Sequence, residues 1–226
     1  MSLIRRSFIT GAAGLLATPA LAQFQAVPAP YVRGKENDPT TPGPLADGLV
    51  RVNLTTPEGD IILDLEARAA PITTANFLHY VDTKRMDSAE FYRSSHPPGA
   101  ADFGVIQAGF PDHPEKLFKP IAHEPTSQTH LRHTHGTISM ARFKPGSAAG
   151  DFFICVGDQT DLDADLTKPG DNLGFAAFGH VAAGMAVVKK IMAMPTDGVA
   201  KTPAMKGEIL THPVKITSAR RVVPST

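Results

Sequence analysis

Hydrophobic and polar residues alternate in several short runs that begin near residue 49. In LVRVNLTT, Val50, Val52 and Leu54 are separated by single polar positions, and IILDLE alternates again after a turn at residues 57–60. A period of two residues is typical of a half-buried strand, and Pro and Gly between two such runs favour a hairpin. The sequence therefore predicts a strand, a turn and a second strand at the start of the ordered chain.

The apolar spacing changes to a helical period in two places. Pro71 takes the first helical position that proline favours, and apolar residues follow at Phe77, Leu78 and Val81. The same spacing recurs within residues 183–194, at Met185, Val188, Ile191 and Met192. We therefore expect two helices.

The remaining hydrophobic runs are short and are separated by Gly, Pro and Asp. They are EFYRSS, DFGVIQA, GTISMAR, DFFICV, GFAAFG and PVKITSARRV. Many short antiparallel strands with two helices favour a closed barrel over a parallel sheet. The predicted fold class is all-β with two helices, arranged as a closed eight-stranded antiparallel barrel.

The first 22 residues have the pattern of an export signal. Arg5 and Arg6 precede an apolar run at residues 11–17, and Ala20-Leu21-Ala22 supplies a small-x-small cleavage site. RRSFIT resembles the twin-arginine pattern of proteins exported in the folded state. The alternative, an uncleaved membrane anchor, is disfavoured because a membrane span needs about 20 apolar residues and this run is much shorter. We expect a signal at 1–22, a Pro-rich flexible tether at 23–46, a domain at 47–226, and a periplasmic product with no membrane contact after cleavage.

Composition narrows the classes of function. The chain of 226 residues has 22 Lys and Arg against 22 Asp and Glu, so its formal net charge of zero provides no field for nucleic acid. A single cysteine, Cys155, excludes an internal disulfide and a metal site made of thiolates alone. In an apolar run it is expected to be a small buried hydrophobic residue. We expect the protein to be a monomer that does not bind nucleic acid.

Six blocks in order resemble the cyclophilin family of peptidyl-prolyl cis/trans isomerases. They are FYR at 91–93, VIQAG at 105–109, GTISMAR at 136–142, DFFICV at 151–156, DLD at 161–163 and FAAFGHVAAGMAVVKKI at 175–191. The resemblance extends from about Leu49 to Val222 and implies an eight-stranded barrel with a helix at each end. It also implies catalysis without a cofactor, on proline-containing polypeptide clients.

The resemblance assigns the catalytic pair to Arg93 and Gln107. A guanidinium aimed at the prolyl nitrogen donates well to the pyramidal nitrogen of a twisted amide and poorly to the planar one. Gln107 matches the glutamine that hydrogen-bonds the arginine or the substrate backbone. Phe153 matches the floor of the proline pocket, with Val105 and Leu162 as walls. Ala141 and Arg142 match the pair whose backbone binds an extended peptide.

Several positions depart from the family pattern. SSHPPGAAD lengthens the segment between Arg93 and Gln107, and Phe103 is a candidate for the missing aromatic wall, although strict alignment puts Gly104 there. Asp151 replaces a glutamine, and its carboxylate is expected to pair with Arg93 or to accept a hydrogen bond from the substrate backbone. Phe175 replaces a histidine or tyrosine. Asp161 replaces a tryptophan, which implies weak cyclosporin sensitivity.

Other chemistries have weaker support. His130, His133 and His135 form H-x-x-H-x-H, but this loose motif more often belongs to a polar loop, so no metal is expected. A hydrolase is disfavoured because no G-x-S-x-G elbow occurs. The sequence therefore leaves two functions open: an active prolyl isomerase, or a catalytically weak chaperone module that binds proline-containing peptides.

Overall fold

The structure is a computed structural model, and it describes residues 45–100 and 102–222. The predicted signal at 1–22 and residues 23–44 of the predicted tether lie outside the described residues. Within the described ranges, none of the helices has both the length and the hydrophobicity that a membrane span requires.

Nine strands form one antiparallel sheet in the described part of the chain, and three α-helices accompany it. The strands are β1 Leu49–Thr56, β2 Gly59–Glu66, β3 Glu90–Ser95, β4 Gly104–Gly109, β5 Thr137–Met140, β6 Phe152–Val156, β7 Ala176–Ala183, β8 Ile209–Lys215 and β9 Ser218–Arg221. The helices are α1 Pro71–Asp82, α2 Thr126–Thr129 and α3 Met185–Met192. The expectation of an all-β fold is confirmed.

The prediction of a closed eight-stranded barrel is wrong in strand number and in closure. The order is β8-β3-β4-β6-β5-β7-β2-β1-β9, a curled half-barrel with β8 and β9 at its edges. The last predicted strand breaks at Ile216 and Thr217. The Ile216 N–H bonds to the carbonyl of Ala89, which precedes β3, whereas the Thr217 N–H bonds to Thr55 of β1, both at 2.9 Å. Because the chain changes partner there, two short strands replace one.

The prediction of two helices is also corrected. The additional helix, α2, has four residues, too few for a helical period in the sequence. The start of α1 at Pro71 agrees with the prediction. Helix α3 is shorter than the predicted 183–194 because Ala183 still belongs to β7 and Gly184, with φ at +93°, reverses the chain before the first turn.

Alternation along β6 separates two apolar clusters. Phe152, Ile154 and Val156 belong to the main core, whereas Phe153 and Cys155 point to the opposite face. In the main core the ring of Phe77 from α1 packs edge-on against Phe152, with 5.3 Å between ring centroids. Each such buried side chain contributes about 1.5–3 kcal/mol to the stability of the fold. The rigid sheet thereby supports a smaller apolar cluster on its other face.

Candidate active site

Four polar and aromatic side chains form a row across neighbouring strands. Arg93 of β3 pairs with Gln107 of β4, Gln107 pairs with Phe153 of β6, and Phe153 pairs with Ser139 of β5. Paired residues on adjacent strands point to the same face of a sheet. The register therefore brings the predicted catalytic pair beside the predicted pocket floor.

A bulge in β3 directs two neighbouring side chains to this row. Phe91 pairs with Ala108 and Arg93 pairs with Gln107, so Tyr92 is an extra residue opposite β4. A bulge places consecutive residues out of strict alternation. Phe91 lies in the main core, while the side chains of Tyr92 and Arg93 both reach Gln107.

The guanidinium of Arg93 is almost wholly buried and is held by two side chains. Its Nη1 donates to Oε1 of Gln107 at 2.8 Å. Its Nε and Nη2 donate to Oε2 of Glu208 at 2.8 and 2.6 Å. The other carboxylate oxygen of Glu208 accepts a hydrogen bond from Oγ of Ser95 at 2.8 Å. Arg93 therefore has a defined orientation at the end of the row.

Asp151 lies at the opposite end of the same hydrogen-bond chain. Its Oδ2 accepts from the Tyr92 hydroxyl at 2.9 Å, and its Oδ1 accepts from the Phe110 N–H at 3.1 Å. The side-chain amide of Gln107 donates to the Tyr92 oxygen in turn. Burial raises the pKa of Asp151, and burial together with the Asp151 charge raises the pKa of Tyr92. The expected pairing of Asp151 with Arg93 is replaced by a link through Tyr92 and Gln107.

The smaller apolar cluster lies beside the row. Its members are Val105, Phe153, Cys155, Leu162 and Phe175, with Ala141 packed against them. The rings of Phe153 and Phe175 meet edge to face, with centroids 5.4 Å apart. The structure thus brings together five of the residues that the sequence assigned to substrate binding, Val105, Ala141, Phe153, Leu162 and Phe175. Cys155 is fully buried among them, and its burial raises the thiol pKa.

Two other predicted substrate-binding residues, Phe103 and Arg142, are not members of this cluster. Phe103 lies outside this cluster, where its ring and backbone adjoin Gly157. The guanidinium of Arg142 pairs with Asp171 at 2.6 Å and donates to the Gly174 carbonyl at 2.8 Å, while the predicted peptide contact of this residue is through its backbone. It also lies 5.3 Å from the centre of the Phe175 ring. Arg142 therefore anchors the loop that precedes β7.

A buried polar triad supports the pocket floor. His133 contacts Oγ of Ser139 through Nε2 at 2.9 Å and Oδ1 of Asp163 through Nδ1 at 2.7 Å. The His133 ring stacks on Phe153, with centroids 6.0 Å apart. Serine, histidine and aspartate are hydrogen-bonded in the same order as in a Ser-His-Asp hydrolase, but Ser139 and His133 are both 0% exposed. Because Ser139 is wholly buried and hydrogen-bonded to His133, whose ring stacks on Phe153, the arrangement is consistent with a structural role in orienting Phe153.

The histidine motif does not assemble a metal site. His133 is engaged in the triad, whereas Nδ1 of His135 accepts a hydrogen bond from the Gly157 N–H at 2.9 Å. His130 ends α2 in the left-handed conformation. Across residues 45–100 and 102–222, no group of three or more His, Cys, Asp or Glu side chains has the arrangement to hold a metal ion.

Sequence reasoning missed three members of the hydrogen-bond chain, Tyr92, Ser95 and Glu208. The alternation of β3 could have indicated Ser95, two positions after Arg93, whereas Tyr92 reaches the same face only because of the bulge. Glu208 is 115 positions from Arg93. A contact at that separation leaves no periodic signal, so it could be found only from the folded structure.

The fold defined by this sheet is the cyclophilin fold. Two solved structures of a Cryptosporidium parvum cyclophilin type peptidyl-prolyl cis-trans isomerase match it with TM-scores of 0.57 and 0.59. They cover 78% and 76% of this chain and 99% of their own chains, at 17% and 19% sequence identity. The second was determined in the presence of the dipeptide Ala-Pro.

Sequence comparison identifies the family. Residues 50–221 match the family described as cyclophilin type peptidyl-prolyl cis-trans isomerase/CLD. A Streptomyces antibioticus peptidyl-prolyl cis-trans isomerase, cyp18, is 36% identical over 75% of this chain and 96% of its own length. An Acinetobacter baylyi peptidyl-prolyl cis-trans isomerase is 34% identical over 75% and 84%. The chain belongs to the cyclophilin-type peptidyl-prolyl cis-trans isomerase family, and it is an isomerase enzyme.

Proposed function

We propose that Arg93 accelerates rotation about X-Pro bonds by stabilising the twisted amide. The observation that carries this proposal is the position of its guanidinium, which is fixed by Gln107 at the edge of the apolar cluster around Phe153. In the twisted amide the prolyl nitrogen regains its lone pair and accepts a hydrogen bond. A fixed cationic donor therefore binds the transition state better than the planar ground state.

The chemistry needs no bond cleavage and no cofactor. Rotation about the peptide bond has a barrier of about 18–20 kcal/mol, and uncatalysed exchange takes on the order of tens to hundreds of seconds. Shortening about 100 s to about 10 ms requires about 5.5 kcal/mol. One preorganised donor contributes about 3–4 kcal/mol. Exclusion of water by the apolar pocket supplies the remainder.

The substrate in this proposal is a proline-containing polypeptide. Its proline ring packs against Phe153 between Val105 and Leu162, with Phe175 as a further wall. The backbone at Ala141 and Arg142 lines the path of the extended peptide. The protein acts as a monomer on such clients, and its formal net charge of zero does not favour nucleic acid.

Replacing Arg93 with lysine tests the mechanism. Arg93→Lys keeps the charge beside Glu208 but loses the planar fork, so kcat/KM in a protease-coupled proline assay should fall about ten- to a thousandfold. The matched control is Arg221→Lys, whose arginine pairs with Asp82 on the half-exposed surface of β9. It should retain full activity. Activity of Arg93→Lys within twofold of the wild type, in a variant with an unchanged melting temperature, would contradict the arginine mechanism.

We also propose that the enzyme acts on exported clients in the periplasm. Residues 1–22 serve as a cleavable signal of the twin-arginine kind, and residues 23–46 tether the isomerase domain that begins at residue 47. The support is the sequence RRSFIT with Ala20-Leu21-Ala22. A Synechocystis relative, 27% identical over 66% of this chain, is named a putative thylakoid lumen peptidyl-prolyl cis-trans isomerase.

A further inference from the structure

Glu208 is anchored through its backbone next to the candidate catalytic strand. It follows the short 3-10 turn Pro203–Met205, and its N–H donates to the Met205 carbonyl at 3.0 Å. Its own carbonyl accepts from the N–H of Ser94 in β3 at 2.8 Å. Hydrogen bonds therefore fix the main chain of Glu208 on both sides. Its side chain lies close to Arg93, because the next residue, Ile209, pairs with Arg93 between β8 and β3.

The carboxylate of Glu208 grips one edge of the Arg93 guanidinium. Oε2 accepts from both Nε and Nη2, while Oε1 is held by the Ser95 hydroxyl. Gln107 holds the opposite part of the guanidinium through Nη1. Because the guanidinium is hydrogen-bonded on two sides, a change of the Arg93 rotamer would break charge-assisted hydrogen bonds.

We propose that Glu208 is a positioning residue for the isomerase reaction, acting through Arg93. This inference rests on the proposed role of Arg93. A free arginine side chain samples many rotamers, whereas a donor aimed at a prolyl nitrogen must stay in one orientation. Misplacing a catalytic group by about 1 Å can cost about a hundredfold in rate. The carboxylate is 25% exposed, so water partly screens its charge while the hydrogen bonds keep their direction.

Kinetics of Glu208 variants separate positioning from simple competition for Arg93. Glu208→Ala removes the grip and should lower kcat about ten- to a hundredfold, with KM within about twofold because ground-state binding is unaffected. Glu208→Gln keeps an acceptor oxygen and should recover most of that loss. Glu115→Ala, which removes a carboxylate 66% exposed on the surface, is the control. An unchanged or increased kcat in Glu208→Ala would overturn the proposal.

Two further variants test whether a loss of kcat in Glu208→Ala arises from misfolding and not from the position of Arg93. Ser95→Ala leaves the Arg93–Glu208 pair in place but frees one carboxylate oxygen, so kcat should fall in the same direction by a smaller factor. In the Arg93→Lys background, Glu208→Ala should have little additional effect, because its partner is already altered. If the two losses multiply instead, Glu208 acts independently of Arg93 and the proposal is wrong.

Side-chain NMR provides a readout that does not depend on turnover. The Nε–H signal of Arg93 should be shifted and slow to exchange in the wild type, because that proton is donated to Glu208. Glu208→Ala should abolish this signature, while Glu115→Ala should leave it intact. If Arg93→Lys turns out to be fully active, the proposed function fails; if the Arg93 signal survives in Glu208→Ala, only the positioning role fails.

Discussion

At the scale of single residues, the direction of hydrogen bonds matters as much as their presence. Ionised Asp151 accepts a hydrogen bond from the Tyr92 hydroxyl, so the Tyr92 oxygen accepts in turn from the amide group of Gln107. The carbonyl oxygen of Gln107 is thereby left for Arg93. Protonated or amidated Asp151 can donate to the Tyr92 oxygen, and the Tyr92 hydroxyl proton would then compete for the Gln107 carbonyl oxygen that Arg93 needs, because a guanidinium only donates. Ionised Asp151 thus acts through Tyr92 to keep the carbonyl oxygen of Gln107 available to Arg93.

The direction of these hydrogen bonds predicts an acid limb in the pH profile, that is, a fall in kcat/KM when Asp151 is protonated. Burial raises the pKa of Asp151, so its protonation begins at a higher pH than for an ordinary aspartate, and kcat/KM should fall there. Asp151→Asn should be about three- to tenfold less active at neutral pH, an effect of about 1 kcal/mol, and should lack this limb. Asp112→Asn, at an exposed surface carboxylate, is the control. An identical acid limb in Asp151→Asn would contradict the prediction.

The raised pKa of Asp151 also makes the free energy of unfolding depend on pH. In the folded state Asp151 binds its proton more tightly than in the unfolded chain, because burial disfavours the carboxylate. Its contribution to the free energy of unfolding is therefore largest below the unfolded pKa and is lost as the pH rises through the folded pKa. Urea unfolding at several pH values should show this loss in the wild type and its absence in Asp151→Asn.

At the scale of elements, the N-terminus of α1 depends on a residue outside the helix. Glu124 is 1% exposed, and its carboxylate accepts from the N–H groups of Ile72 and Thr73 at 3.1 and 2.7 Å and from the Thr73 hydroxyl at 2.6 Å. These N–H groups have no partner within the helix, and the helix dipole favours a negative charge there. Glu124 therefore replaces the N-cap side chain that Ala70 cannot provide.

Glu124→Gln should consequently destabilise the fold without affecting the chemistry. Losing the charge at buried donors should cost about 1–2 kcal/mol, which lowers the melting temperature by about 2–8 °C in a domain of this size. The kcat should remain at the wild-type value. Glu115→Gln is the matched control, since that glutamate is exposed. A melting temperature equal to that of the control would show that a neutral amide oxygen satisfies these donors as well as the carboxylate does, and would contradict the prediction.

Elements with a strong period were predictable, and those defined by long-range pairing were not. Pro71 correctly marked the start of α1. The resemblance, and not the alternation, singled out Phe153 in DFFICV, and the structure places it on the face of β6 opposite to Phe152. The break between β8 and β9 was missed because Ile216 and Thr217 continue the apolar alternation, and only the change of hydrogen-bond partner ends the strand. Register and partner choice are properties of the assembled sheet.

At the scale of the whole molecule, the candidate site combines residues from distant parts of the chain. Arg93, Gln107 and Phe153 were predictable because motifs carry them. Asp151 was one candidate for the carboxylate beside Arg93, but that carboxylate belongs to Glu208. A motif specifies which residues face a groove. It does not specify which loop packs against them, because that depends on how the sheet curls and where its edges end.

The proposed export signal is tested on the complete chain. Replacing Arg5 and Arg6 with lysine should leave unprocessed precursor in the cytoplasm, because recognition by the twin-arginine route requires the arginine pair. Cell fractionation followed by immunoblotting measures precursor and mature forms. The same double replacement at Arg220 and Arg221, which pair with Asp87 and Asp82 on the surface, controls for a general loss of yield. Normal processing of the signal variant would show that another route is used.

The break between β8 and β9 also sets the order of events during synthesis. Residues 209–221 supply the outer partners of both β3 and β1, and the pairing of Ser218 with Thr55 joins segments far apart in the chain. Until that segment leaves the ribosome, the nascent chain carries two unpaired strand edges, which are prone to pair with other chains. We therefore expect the growing polypeptide to need protection by chaperones until its final strands emerge. A route that accepts only folded cargo would then export no molecule whose translation stopped before residue 209.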